Sequence, residues 1–367
     1  MKRLRLLSGL IILVVSCAPA LEKGTWAPDT YDALSALLKD KANRGGYAVF
    51  DCDNTSIIHD VTHTLTLYMV ENLRFADAPD HLFVDGLGET DSPLDGCSVS
   101  AAQWGTDLRD RYRTLKSMQE AGIPLDSLQR TDLFRDWRGR FMAFYEALGR
   151  SYDYGTLCLW EPLLTAGYTD GQLQALGRES IRYWLSQGKV WHEELVSTDG
   201  LYHGKGEKGL MVLPEMKALY KALDRAGIRP YICSASVEWL VEIFACDPEI
   251  GFGLSPDQVF GIRLAKDAGG YVYDPTYVQP FKEGKVSCID NLIAPQHGGR
   301  QPVLVAGDSS GDIAMLTAYP DMKVGLIMNR FRGGEIEALA DRHDGRYFSQ
   351  PVFIPELPSI STNLNGQ

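Results

Sequence analysis

The chain has 367 residues, more than one hydrophobic core usually holds, so a main domain with a substantial second lobe is expected. Hydrophobic residues make up 45% of it, enough for a proper core. A formal net charge of -12 and a pI near 5.1 exclude a nucleic-acid partner gripped by its phosphates, which needs concentrated basic patches, and favour a small-molecule substrate.

The N-terminus reads as an address. Lys2, Arg3 and Arg5 precede an apolar run over 6–15 that is too short to span a bilayer, so 1–16 is expected to be a signal peptide outside the fold. Val14-Val15-Ser16-Cys17 resembles a bacterial lipobox. That resemblance implies lipidation at Cys17, a membrane contact through this anchor alone, and a place on the periplasmic side of a cell envelope. The alternative is an ordinary cleavage near Ala18 or Ala20. Residues 17–30, with two prolines and a glycine, read as a tether. Of the seven cysteines, Cys97, Cys158, Cys246 and Cys288 are candidates to pair in an oxidising compartment, with a connectivity that sequence cannot supply. The lack of a CxxC pair argues against a zinc site. No feature points to a protein partner.

In chain order, Tyr31, Leu34, Leu38 and Ala42 lie at helical spacing and stop before Gly45-Gly46. A buried strand follows over 47–50. Residues 57–205 show no further clear buried strand but several helical patterns, at 62–73, 108–118, 133–148 and 173–185, with a loop rich in Asp, Gly, Pro and Ser over 76–100. This stretch reads as a mainly helical cap domain. Regularity returns after 206: a helix over 214–227 opened by proline and closed by glycine, a strand over 229–233, a turn at 234–236, and a helix over 237–244. Strands at 259–264 and, beside it, 271–273 precede a helix over 285–293. The apolar run 302–306 reads as a parallel strand buried on both faces, with a helix at 313–318 and a strand at 322–327 after it. Alternating strands and helices imply a doubly wound parallel α/β sheet built from 31–56 and 206–350, with 57–205 inserted and 351–367 a tail.

Four loop elements stand out: Asp51-Cys52-Asp53-Asn54-Thr55, then Ser234, then Lys285, and finally Asp308 with Asp312. Together, in this order, they resemble the haloacid dehalogenase superfamily of aspartate-nucleophile hydrolases. The likeness covers the first strand and about 206–330, and the insertion occupies the family's cap position. Gly311 before Asp312 departs from the usual form of the last motif.

The residue types suit phosphate chemistry. The negative oxygens of a phosphate monoester repel a carboxylate nucleophile unless cations neutralise them. The resemblance implies Mg2+ as cofactor, Asp51 as nucleophile and metal ligand, Asp53 as a ligand through its carbonyl and as acid and base, and Asp308 as the second carboxylate ligand. Asp312 would support that shell or orient the lysine. Ser234, Lys285, Asn54 and Thr55 would bind phosphate. Lys282 and Lys285 both lie in PFKEGKV, and Gly284-Lys285 opening a helix resembles the phosphoserine-phosphatase-like branch better. An acid at position 53 distinguishes the family's phosphatases from its dehalogenases.

For the organic group, DCDNTSIIHD resembles the same branch, in which an acid nine residues after the nucleophile contacts a substrate amine. Asp60 stands there, with a helix N-cap as its alternative role. The DNTS run and aromatic-rich cap are similar to secreted phosphocholine phosphatases. Trp104, Trp160, Trp184 and Trp191 either offer faces to a quaternary ammonium or pack the cap core. The expectation is a phosphomonoesterase for a phosphocholine-, phosphoserine- or phosphoethanolamine-type ester. The rivals are a broad-specificity acid phosphatase or phosphotransferase, and a non-catalytic binding lipoprotein.

Overall fold

The structure, a computed structural model, describes residues 21–76, 80–267, 270–274, 276–342 and 344–352. Cys17, the signal segment and most of the expected tail lie outside them.

Helix α1 (Pro28–Lys39) leads into β1 (Tyr47–Phe50). All four residues of β1 are buried, as a central parallel strand requires. Tyr47 and Val49 join one apolar cluster, Ala48 and Phe50 the other, so the sheet carries a hydrophobic layer on each face. A short strand β2 (Ile57–Ile58) precedes α2 (Val61–Asn72). Then come α3 (Ala101–Glu120), α4 (Leu125–Leu128), α5 (Asp132–Ser151), α6 (Tyr154–Leu163) and α7 (Asp170–Ser186). Phe134, Trp137, Phe141 and Phe144 form the buried stripe of α5.

The insertion, expected to be mainly helical and without a clear buried strand, also contains a hairpin, β3 (Trp191–Val196) with β4 (His203–Lys208). It is short of β-branched residues, and its burial comes from docking on α5. A Cβ on Gly204 would overlap the backbone of Met142 and Ala143, and one on Gly139 the backbone of Val196 and Ser197, so helix and hairpin meet backbone to backbone. β5 (Met211–Val212) pairs with β2.

Next, α8 (Pro214–Ala226) has Pro in its first turn and ends on Gly227 at φ 74°, a left-handed cap. β6 (Arg229–Val237) runs through 234–236, which the sequence suggested as a turn; its register against β7 (Val259–Ile262) slips between Cys233 and Val237. Between them lies α9 (Glu238–Ala245). β8 (Leu264–Asp267) and β9 (Gly270–Tyr273) form a separate antiparallel hairpin, so 271–273 does not extend the main sheet beside β7. α10 (Glu283–Cys288), β10 (Leu304–Gly307), α11 (Ile313–Thr317), β11 (Val324–Asn329), α12 (Gly334–Ala340) and β12 (Tyr347–Pro351) complete the described chain.

The main sheet is six-stranded, in the order β12-β11-β10-β1-β6-β7, and every pairing is parallel. From β1 the chain first builds outward through β6 and β7, then crosses to β10 and builds the other way. The switch point therefore falls between β1 and β10, and open α/β sheets bind ligands in the crevice beyond such a point. Cys52, Cys97, Cys158, Cys233, Cys246 and Cys288 are all free thiols, which corrects the expectation of pairing among four of them.

Candidate active site

Asp51 follows β1 and Asp308 follows β10. The register pairs Phe50 with Ala306, so the two aspartates leave adjacent strands at nearly the same level. One carboxylate oxygen from each of them and one from Asp312 lie within 4.8 Å of one another, and all three residues are buried. Lys285 on α10 bridges two of them, with Nζ 2.7 Å from Asp51 Oδ1 and 2.6 Å from Asp312 Oδ1. Arg330, just past β11, donates to Asp308 Oδ2 at 2.8 Å. Asp312 Oδ2 also accepts from the backbone N–H of Asp308 and Ser309, at 3.0 and 3.2 Å.

Three carboxylates thus share two cations in a buried place. Burial, then the neighbouring Asp312, pushes Asp51 up to about 8; burial pushes Asp308 up to about 6 against the pull of Arg330. Burial opposes the charge on Lys285, but Asp312 and Asp51 outweigh it and hold the ammonium well above the usual lysine range. An all-oxygen, acid-rich set of this kind fits a hard divalent cation such as Mg2+.

Asp53 points elsewhere. Its Oδ1 accepts from Val61 N at 2.8 Å and its Oδ2 from Ser234 Oγ at 3.2 Å. Burial first, then Asp60 and Asp51, raises its pKa well above the usual carboxylate range. Ser234 is fully buried and spends its proton on Asp53, while Ala235 faces the cavity. Thr55 Oγ1 lies 3.5 Å from Asp51 Oδ2 and 3.4 Å from Asp308 Oδ1. Asn54, at φ 59°, lines the cavity and accepts from His59 N at 3.0 Å.

The cavity holds about 600 Å³, and its wall includes Asp51, Asp53, Asp60, Lys282, Lys285, Asp308 and Arg330. Lys282 reaches the wall but lies over the Tyr154 ring, 5.6 Å from its centroid, whereas Lys285 meets Asp51. Tyr154, at the start of α6, is the aromatic residue that the insertion contributes to the wall. Gly311 also lines the cavity, and a Cβ there would come within 3.9 Å of the Tyr154 hydroxyl.

Asp60 is the N-cap of α2: its Oδ1 accepts from Thr62 N, His63 N and Ser236 Oγ, at 2.7, 2.9 and 3.1 Å. It also lines the cavity, so the capping and wall positions coincide. Behind it Glu161 accepts from Tyr145 Oη at 3.1 Å and lies 3.7 Å from His63 Nδ1. Burial, then Glu161, raises the Asp60 pKa. The four tryptophans do not line the cavity. Trp104, Trp160 and Trp184 are buried in the apolar core, and Trp191 packs against it under Lys189.

Sequence reasoning missed Arg330 and Tyr154. Arg330 carried a usable signal, a basic residue directly after a parallel strand beside β10. Tyr154 carried none, because it comes from the insertion and belongs to no motif.

The strand order, the aspartate loop after β1 and the acidic loop after β10 are those of a hydrolase of the haloacid dehalogenase superfamily. The family described as haloacid dehalogenase-like hydrolase matches residues 158–317, which leaves the Asp51 loop to be brought in by the sheet. The chain is similar to phosphorylcholine phosphatase of Pseudomonas aeruginosa, 25% identical over 252 residues that cover 68% of this chain and 57% of that protein. It thus spans a little over half the length of that relative. A crystal structure of a functionally unknown protein from Anaerococcus prevotii superposes with a TM-score of 0.78 and 27% identity, covering 90% of this chain and 94% of that one.

Proposed function

We propose that the protein is a Mg2+-dependent phosphomonoesterase that works through an aspartyl-phosphate on Asp51. The observation that carries this reading is the Asp51–Lys285–Asp312 array beside Asp308, at the switch point of the sheet. Asp51, Asp308 and the Asp53 carbonyl would hold the ion, which would neutralise phosphate oxygens in the way such transfers require.

A carboxylate oxygen of Asp51 attacks phosphorus; the bond from phosphorus to the ester oxygen breaks and the leaving alkoxide takes the proton of Asp53. Asp53 then removes a proton from water, the resulting hydroxide attacks the same phosphorus, and the bond to Asp51 breaks to release phosphate. The raised pKa of Asp53, set first by burial, supports its holding that proton near neutral pH. Lys285 and Arg330 supply fixed positive charge at the cavity wall. Ser234 binds phosphate in this scheme only after its hydroxyl turns away from Asp53.

The substrate class in this proposal is a small phosphate ester carrying an amine or quaternary ammonium. Asp60 in the wall, with Glu161 behind it, supports a cation subsite, and Tyr154 is the aromatic face at hand. The name of the Pseudomonas relative points the same way. Turnover of phosphocholine, phosphoethanolamine and phosphoserine with Mg2+, including Asp51→Asn and Asp53→Asn variants, tests it. Both variants should lose nearly all activity, and undiminished turnover in Asp53→Asn would overturn the assignment. Product analysis with competing alcohols separates a hydrolase from a phosphotransferase. No turnover of any ester and no fluoride–metal complex trapped on Asp51 would favour the binding lipoprotein.

The cell-envelope location is part of the same proposal and rests on the sequence around Cys17. Lipid labelling of the full chain that is lost in Cys17→Ser would support it; labelling that persists would exclude it.

A further inference from the structure

A second cluster lies apart from the carboxylates. His59, His192 and Glu207 place ligand-capable atoms within 4.8 Å of one another. They come from the loop before α2, from β3 and from β4. His192 and Glu207 are directly opposite each other in the hairpin ladder, so their side chains leave the same face. His192 Nε2 lies 3.7 Å from Glu207 Oε1, and the rings of His59 and His192 stack with centroids 5.5 Å apart.

Hydrogen-bond accounting shows what this cluster lacks. His59 is fully buried and its Nδ1 lies 3.1 Å from the carbonyl of Gly209. A carbonyl only accepts, so Nδ1 carries the proton and Nε2 of the neutral ring is left with a lone pair. That Nε2 is buried without a hydrogen-bond partner, and so is Nε2 of His192. Two orphaned imidazole nitrogens aimed into one space beside a carboxylate are a costly arrangement unless something accepts their lone pairs. Moreover, a ring anchored through Nδ1–H to a backbone carbonyl is the arrangement that orients metal-bound histidines. His59 holds this position at φ 66°, in the left-handed region that histidine adopts more readily than most side chains.

We propose that His59, His192 and Glu207 bind one transition-metal ion of the zinc class, with water in the remaining position. Two imidazoles and a carboxylate suit zinc, whereas Mg2+ prefers oxygen alone. Bonds of about 2.0–2.1 Å place tetrahedral donors roughly 3.3 Å apart, so the 3.7 Å pair closes only slightly on binding. The side chains of His192 and Glu207 are 19% and 33% exposed, which leaves them room to adjust. The ion pins the β3–β4 hairpin to the loop between Asp51 and α2, where His59 N donates to the cavity residue Asn54. This set escapes a search for cysteine pairs, because it is assembled from one loop and two strands far apart in sequence.

The experiment strips the full chain with EDTA and titrates it with Zn2+, and separately with Co2+, in excess Mg2+. One equivalent of Zn2+ should bind and raise the melting temperature, and Co2+ should develop visible bands of a nitrogen- and oxygen-bound ion. His192→Gln and Glu207→Gln should each weaken Zn2+ more than about 100-fold, beyond the loss of an outer-shell partner, and remove the Zn2+-dependent melting shift. Their melting without metal, unchanged from the parent, shows that the fold is intact. Asp308→Asn should leave Zn2+ stoichiometry and the Co2+ spectrum as they were. Zn2+ binding that survives both glutamine variants, that is lost in Asp308→Asn, or that is no tighter than millimolar would overturn the site.

Discussion

Lys285 Nζ lies between Asp51 Oδ1 and Asp312 Oδ1, at 2.7 and 2.6 Å, with its side chain 3% exposed. An ammonium so placed faces two buried acids, and removing it leaves the Asp312 carboxylate without its cation. Lys285→Met should therefore cost about 3–5 kcal/mol in metal-free protein at neutral pH, the range for breaking a buried pair from one side. Urea melts measure it, and a cost under about 1 kcal/mol would show that the acids simply take up protons instead. Turnover should fall with the same substitution, because the cavity loses the fixed cation that meets Asp51.

The site's acids also set a pH dependence. Burial raises Asp51 to about 8 and Asp308 to about 6, against about 3.9 in an unfolded chain. A carboxyl with a raised folded pKa binds its proton more tightly in the fold, so its stabilisation is complete below about pH 4 and is lost as pH rises through the folded values. In EDTA these two groups should make unfolding easier from about pH 4 to pH 8. Excess Mg2+ should offset that loss increasingly as pH rises, since ligation needs the deprotonated acids. Parallel stability curves with EDTA and with Mg2+ would exclude Asp51 and Asp308 as ligands.

What could be read from the sequence depended on how local its cause is. Asp51 and Asp308 were legible because each ends a continuous apolar strand whose two-sided burial shows in the residues themselves. The capping role of Asp60 was legible as one of two alternatives, and the structure shows it sharing that role with a place in the wall. Arg330 was not found, since it reaches Asp308 only because β11 pairs with β10. The β3–β4 hairpin was hidden by its polar sequence: WHEELV and HGKGEK carry little β signal, and docking on α5 outweighs it. The tryptophans looked equally suited to pocket and core, and nearest-neighbour packing decided for the core.

Gly204 tests that docking. Its missing side chain lets β4 lie against the backbone of Met142 and Ala143. Gly204→Ala forces strand or helix to move, and an overpacked contact of this kind costs about 1–3 kcal/mol. Thermal melting would report it, and a neutral substitution would mean that the hairpin shifts freely on α5. Gly200→Ala, at φ 70° in the hairpin turn with open space around it, should cost about 1–2 kcal/mol through backbone strain alone.

Asp60 separates substrate recognition from helix capping. Asparagine caps a helix about as well as aspartate, so Asp60→Asn should keep α2 within a few tenths of a kcal/mol while removing the carboxylate at this point of the wall. Asp60→Ala loses the cap as well and should cost about 1 kcal/mol. If the cation subsite is as proposed, Asp60→Asn raises KM for phosphocholine about tenfold and leaves p-nitrophenyl phosphate, which has no cationic group, nearly unchanged; such a factor corresponds to about 1.4 kcal/mol. Equal losses on both substrates would place the effect on Asp53, which Asp60 influences through its charge, and would move the amine contact elsewhere in the cavity.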